Sequence, residues 1–269
     1  MSTSGLAARL GAASLVVCDV RYYLDDHGRG RREYGESHVP GAVFVDLPND
    51  LAGGPGGGRH PLPTTSVFGE VLGRLGITPE SSVVVYDDRS GGMASRLWWM
   101  LRSIGHTDVA LLDGGFRAWV ADGHQVSADP ERPTPAPAYP VPERWAGTVD
   151  ADEVVAEIER GTTVLDAREP SRYRGDAEPI DARAGHIPGA RNLFHRDTLD
   201  DDGRHLPTVD LAELFADLGP SPIVYCGSGI SACHDLLAMS LAGIDDARLY
   251  PGSWSEWSSD PERPVATAS

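Results

Sequence analysis

VVVYDDRSGGMASRLWWMLRSIG at residues 83–105 and IVYCGSGISACHDLLAMSLAG at residues 223–243 follow one plan. A short β-branched run ends at a tyrosine, a turn with glycines follows, and an amphipathic stretch comes after it. A brief apolar run bounded by turn residues is the pattern of a buried parallel strand, and the spacing behind it is helical. Strand and helix in alternation give an α/β domain whose ligands sit beyond the carboxyl ends of the strands. The residues after Tyr225 therefore occupy the expected site position.

The correspondence extends over most of the chain. VVCDVRYYL (16–24), GESHVPGAVFVDL (35–47) and ALLDGGFRAW (110–119) are answered by VLDAREPSRY (164–173), AGHIPGARNLF (184–194) and RLYPGSWSEW (248–257), in the same order. Equivalent residues lie about 140 to 150 positions apart, a period that means duplicated domains and not a solenoid of short units. Six prolines between Pro130 and Pro142 mark an extended connector. The expected division is domain one at 1–128, a Pro-rich linker at 129–146 and domain two at 147–269. Each domain is expected to be a parallel-sheet core flanked by helices. The Gly53–Gly58 run reads as a flexible loop without chemistry.

Of the 269 residues, 40 are acidic and 23 basic, a formal charge of −17. Such a surface repels phosphate backbones, which argues against a nucleic-acid partner. No stretch approaches the length of a membrane span, and the opening residues lack a basic region or a cleavage signal, so a cytoplasmic protein without a membrane partner is expected. Three cysteines, Cys18, Cys226 and Cys233, are too few for a disulfide scaffold and lack metal-ligand spacing, so neither metal nor cofactor is expected. Cys18 in VVCDV reads as a buried strand residue, and Cys233 as a helix residue facing the core. Trp98, Trp99, Trp119, Trp254 and Trp257 read as packing residues.

Cys226 has a different context. Gly227 and Gly229 let the backbone turn tightly, so that the amides of Gly227, Ser228, Gly229, Ile230, Ser231 and Ala232 converge near the start of a helix. Such a nest favours a thiolate over a thiol, with Ser228 and Ser231 as further donors. The repeat aligns Cys226 with Asp87, and a carboxylate cannot do the chemistry of a thiolate; domain one is expected to be catalytically silent. Asp87, Asp88 and Arg89 read as interface ion pairs, and the Arg21 and Arg168 repeat as a structural pairing.

The two halves resemble tandem rhodanese domains, and the chain is similar to the two-domain sulfurtransferases that act on thiosulfate or 3-mercaptopyruvate. The residues that carry the likeness are Cys226-Gly-Ser-Gly-Ile-Ser-Ala232, the paired HVPGA and HIPGA segments, DAREPSRY and PGSWSEW. The resemblance implies a persulfide on Cys226, formed from a small anionic sulfur donor and passed to cyanide, a thiol or a thioredoxin-like dithiol. It implies Arg172 as a donor-binding residue. A second arginine is expected about nine positions further on; that position is Asp181, which leaves Arg183 as a candidate. His38 is the candidate for a relay with Ser228. The CGSG loop favours 3-mercaptopyruvate, with thiosulfate as the alternative main donor and a non-catalytic sulfur-carrier or binding module as the alternative of another class. A phosphatase is disfavoured because Ala232 stands where a Cys-x5-Arg motif has its arginine. A cysteine protease is disfavoured because His234 lies along the helix.

Overall fold

The computed structural model describes residues 1–129 and 131–267. Two compact units separate: Met1–Ala52, Pro63–Ala146 and Asp201–Arg204 form the first, and Gly53–Leu62, Gly147–Asp200 and His205–Ser269 the second. In the first, β1 (Leu15–Asp19), β2 (Ala42–Phe44), β3 (Ser82–Tyr86) and β4 (Val109–Leu111) make a parallel sheet ordered β2-β1-β3-β4. In the second, β5 (Val164–Asp166), β6 (Arg191–Asn192), β7 (Ile223–Tyr225) and β8 (Arg248–Leu249) repeat it as β6-β5-β7-β8. The duplicated sequence thus folds as a duplicated topology. Asp19 registers with Tyr86, and Asp166 with Tyr225.

Every residue of β3 and β7 is buried, as continuous apolar strands covered on both faces must be. The helices that follow them, Ala94–Ser103 and Ala232–Leu241, are buried along almost their whole length. Trp119 packs with Val84 and Leu112 in the first core; Trp254 and Trp257 pack with Val164, Ile223 and Tyr250 in the second.

A buried aspartate ends each of β1 and β5 and pairs with the arginine two residues later: Asp19 with Arg21 at 2.6 Å, Asp166 with Arg168 at 2.7 Å. Each guanidinium also stacks on an aromatic ring, Phe116 or Trp254, 4.6 Å from its centroid. Buried charges persist where they are paired and hydrogen-bonded, and both units repeat the arrangement.

The proline-rich stretch packs within the first unit along the helix Thr65–Arg74. Ala136 and Tyr139 donate their amides to the carbonyls of Gly73 and Gly69, at 2.8 and 2.9 Å. A Cβ on either glycine would fall 2.7 Å from a carbonyl oxygen of the proline-rich chain, so the glycines permit this approach. Pro130, in the expected linker, and Ala268 and Ser269, at the end of expected domain two, lie outside the described residues.

Gly53–Leu62, which comes from the first half of the sequence, belongs to the second unit, and Asp201–Arg204 belongs to the first. The glycine run expected to be an inert loop is therefore a strap that helps build the second unit. Gly58 has φ +96°, and a Cβ there would lie 2.5 Å from the Gly252 carbonyl oxygen; only glycine closes this contact. Among the described residues no helix is long and apolar enough to cross a membrane.

Candidate active site

Cys226 stands immediately beyond β7 and is 1% exposed. Its amide donates to Ser253 Oγ at 3.1 Å, and its carbonyl accepts from Trp254 N at 2.9 Å. The Gly227 carbonyl accepts from Ser255 N at 2.9 Å. The PGSWSEW segment thus pins the start of the loop. Gly229 then takes a left-handed conformation, φ +71°, which turns the chain into the ten-residue helix Ala232–Leu241. The amides of Gly227, Ser228, Ile230, Ser231 and Ala232 have no acceptor among the described residues. Uncommitted amides at the mouth of a helix form a nest for negative charge beside the sulfur.

The first unit fills the equivalent nest with its own anion. The Asp87 carboxylate accepts from the amides of Arg89, Gly91, Met93 and Ala94 at 2.7, 2.9, 2.6 and 2.8 Å, and is fully buried. Burial raises its pKa, against the four amides that lower it. The expectation of an interface ion pair is corrected for Asp87: its partners are backbone amides, because the loop geometry supplies them.

Three side chains approach the Cys226 loop. His60 Nδ1 lies 3.0 Å from Ser228 Oγ, and both residues are buried. Arg59, one residue earlier, pairs through Nη1 with Asp181 Oδ1 at 2.5 Å, and Arg172 Nη2 pairs with Asp181 Oδ2 at 2.8 Å. Arg172 also grips Glu178, at 2.7 Å to Oε1, and Glu178 meets Arg168 at 3.2 Å. Against burial, which raises it, the Arg172 hydrogen bonds and the amides of Ile180 and Asp181 hold the Glu178 carboxyl below its ordinary range. A Cβ placed on Gly227 would lie 3.0 Å from Arg59 Nη2 and 3.5 Å from Arg172 Nη1. Both guanidiniums therefore border the residue next to Cys226.

Other expected site residues are placed elsewhere. Arg183, the candidate second arginine, donates to the carbonyls of Trp257, Ser258, Asp260 and Arg263 at 2.5–3.0 Å. Its hydrogen-bonding capacity is spent tying down the C-terminal segment, which removes it from the donor-binding set. His38, expected as the relay partner of Ser228, belongs to the first unit. It bonds the Tyr34 carbonyl at 2.7 Å and stacks on the Tyr34 ring. His186 repeats this pairing with Tyr173, at 2.8 Å, so the histidine of each His-x-Pro-Gly-Ala turn is a structural element. His60 is the histidine at Ser228.

Cys18 is fully buried, and burial beside Asp19 and Asp50 pushes its thiol up to about 12. Cys233 is buried on the helix, with its thiol donating to the Gly229 carbonyl at 3.3 Å. Among the described residues no group of three His, Cys, Asp or Glu side chains is placed to hold a metal ion.

Arg59 and His60 are missing from the sequence-based set. The signal that marks them is Gly58-Arg59-His60, which returns as Gly203-Arg204-His205 about 145 residues later. Gly203 and Arg204 are in the other exchanged segment, where Arg204 reaches Asp122 at 3.1 Å.

The rhodanese-like domain family matches residues 2–122 and again 150–260. A Pseudomonas aeruginosa protein named "probable 3-mercaptopyruvate sulfurtransferase" is 43% identical over 277 residues, covering 99% of this chain and 97% of that one. The thiosulfate sulfurtransferase of Mus musculus is 36% identical over 261 residues, with 93% and 87% covered. Among solved structures, 3-mercaptopyruvate sulfurtransferase from Leishmania major superposes with a TM-score of 0.83 at 30% identity, covering 96% of this chain and 74% of that one.

Proposed function

The chain belongs to the rhodanese-like family and is a sulfurtransferase of the thiosulfate and 3-mercaptopyruvate type, and on that premise we propose that Cys226 is its sulfur carrier and 3-mercaptopyruvate its preferred donor. The Cys226 thiolate attacks the donor sulfur. With 3-mercaptopyruvate the C–S bond breaks, its electron pair stays on carbon, and the proton of the donor thiol is transferred to that carbon; Cys226–S–S⁻ and pyruvate result. With thiosulfate the S–S bond breaks and sulfite leaves with the pair, with no proton to move. The loop amides take the charge of the persulfide as an oxyanion hole takes that of an alkoxide. Cyanide, a small thiol or a thioredoxin-like dithiol then attacks the outer sulfur and returns the thiolate.

The preference rests on one observation, the contact of His60 with Ser228 in the Cys226 loop. A buried imidazole and hydroxyl in contact can relay a proton. Only the thiol donor requires one. Arg172 takes the donor carboxylate, since its Nη1 has no acceptor among the described residues and borders Gly227. The first unit, with Asp87 in the anion nest, is catalytically silent.

Steady-state transfer to cyanide with each donor tests this reading. The expected result is thiocyanate formation with a higher kcat/KM for 3-mercaptopyruvate, abolished in Cys226→Ser. Equal activity in wild type and Cys226→Ser, or none with either donor, overturns the sulfurtransferase assignment of Cys226. A higher kcat/KM for thiosulfate overturns the donor preference alone.

A further inference from the structure

We propose that Arg59, carried on the Gly53–Leu62 strap, is the second guanidinium of the donor site and binds the carboxylate of a 2-oxo acid donor together with Arg172. This rests on the sulfurtransferase reading and extends it to a residue from the opposite half of the sequence. The residue nine positions beyond Arg172 is Asp181, whose charge is wrong for an anionic donor. In the structure that carboxylate holds guanidiniums on both of its oxygens: Oδ1 accepts Arg59 Nη1 at 2.5 Å and Oδ2 accepts Arg172 Nη2 at 2.8 Å. Asp181, its side chain 3% exposed, sets the two arginines side by side.

The faces turned away from Asp181 remain available. Arg59 Nε is buried without a hydrogen-bond partner, and Arg59 Nη2 and Arg172 Nη1 have no acceptor among the described residues. Nη2 and Nη1 are the atoms that border Gly227. Buried N–H donors left unpaired cost free energy, and a planar carboxylate satisfies donors presented in this way. The strap makes the position a built one. Arg59 N donates to Ser255 Oγ at 2.9 Å, Gly53 N donates to the Pro61 carbonyl at 2.8 Å, Gly58 fits against Gly252, and His60 reaches Ser228. Arg59 and His60 thus arrive as a pair, one to hold the carboxylate end of a donor and one to serve its sulfur end.

Within this network Arg59, Arg168 and Arg172 face Asp166, Glu178 and Asp181, so the charges balance. Anion recognition here comes from directed N–H groups more than from net charge, which suits a monoanionic carboxylate.

The test uses the full-length protein, with 3-mercaptopyruvate as donor and pyruvate as a binding probe measured by calorimetry. Arg59→Gln is expected to raise KM for 3-mercaptopyruvate, and Kd for pyruvate, by about ten- to hundredfold, the range expected for hydrogen bonds to a charged group. Arg59→Lys, which keeps the charge and loses the fork, is expected to raise both by a smaller factor. If Arg59→Gln does not fold, Arg59→Lys decides, and an unchanged KM and Kd in it overturn the proposal. The double variant Arg59→Gln/Asp181→Asn separates donor binding from neutralisation of Asp181. A KM that stays raised supports direct binding, and a KM restored to the wild-type value overturns it. An inactive wild type would refute the sulfurtransferase reading, and pyruvate binding would still decide the role of Arg59.

Discussion

Cys226 and Asp87 occupy equivalent places, and the contrast between them is the ground for proposing that one half of the molecule carries the chemistry. A carboxylate that accepts four amides is complete in itself, whereas the Cys226 nest keeps five amides uncommitted. His60 is the residue proposed to carry the proton that 3-mercaptopyruvate must move and thiosulfate does not. His60→Asn is therefore expected to lower kcat with 3-mercaptopyruvate by on the order of a hundredfold, the ordinary worth of a positioned acid or base, with a much smaller loss for thiosulfate. Steady-state rates with both donors measure this. Equal losses would show that His60 only shapes the loop.

The helix Ala232–Leu241 delivers its N-terminus to Cys226 and buries Asp235 behind it, with neither carboxyl oxygen hydrogen-bonded. Burial first, then the neighbouring Cys226, Asp197 and Asp166, push the Asp235 carboxyl well above its ordinary value. The native protein thus keeps this proton at pH values where an unfolded aspartate, with a pKa of about 3.9, has lost it. The stability contributed is fully present below that value and falls as pH rises. Asp235→Asn removes the penalty, so its Tm should gain on the wild type as pH rises above about 4, over the range in which the unfolded aspartate ionises and the native one does not. Thermal melts across that range check it; a difference independent of pH would contradict it. Elements such as this helix and β3 are legible in the sequence because periodicity and burial act within a dozen residues. The strap is not. A glycine run has no periodicity, and its partners are remote: Arg59 is 122 positions from Asp181, and His60 168 from Ser228. Arg183 and His38 mislead for the same reason, since position along the chain does not reveal which carbonyls a side chain meets. The recurring Gly-Arg-His tripeptide is the one local trace of the strap.

Over the whole molecule, duplication accounts for both what repeats and what has diverged. Sheet order, the Asp–Arg pair, the His–Tyr stack and the nest after the second central strand recur in both units. The ligand of the nest has changed. The first unit is therefore expected to act through stability: Asp87→Ala strands four amides, those of Gly91 and Ala94 buried, and should cost about 2–4 kcal/mol, with KM for 3-mercaptopyruvate unchanged. Denaturant unfolding and kinetics on the same preparation test this, and a raised KM with unaltered stability would place Asp87 in the reaction. The proposed transfer requires sulfur to rest on Cys226. Intact-protein and peptide mass spectrometry after exposure to 3-mercaptopyruvate detects it there. The predicted result is a gain of one sulfur atom on the peptide bearing Cys226, removed by cyanide and absent from Cys226→Ser; sulfur found on Cys18 or Cys233, or on no cysteine while transfer proceeds, would contradict it.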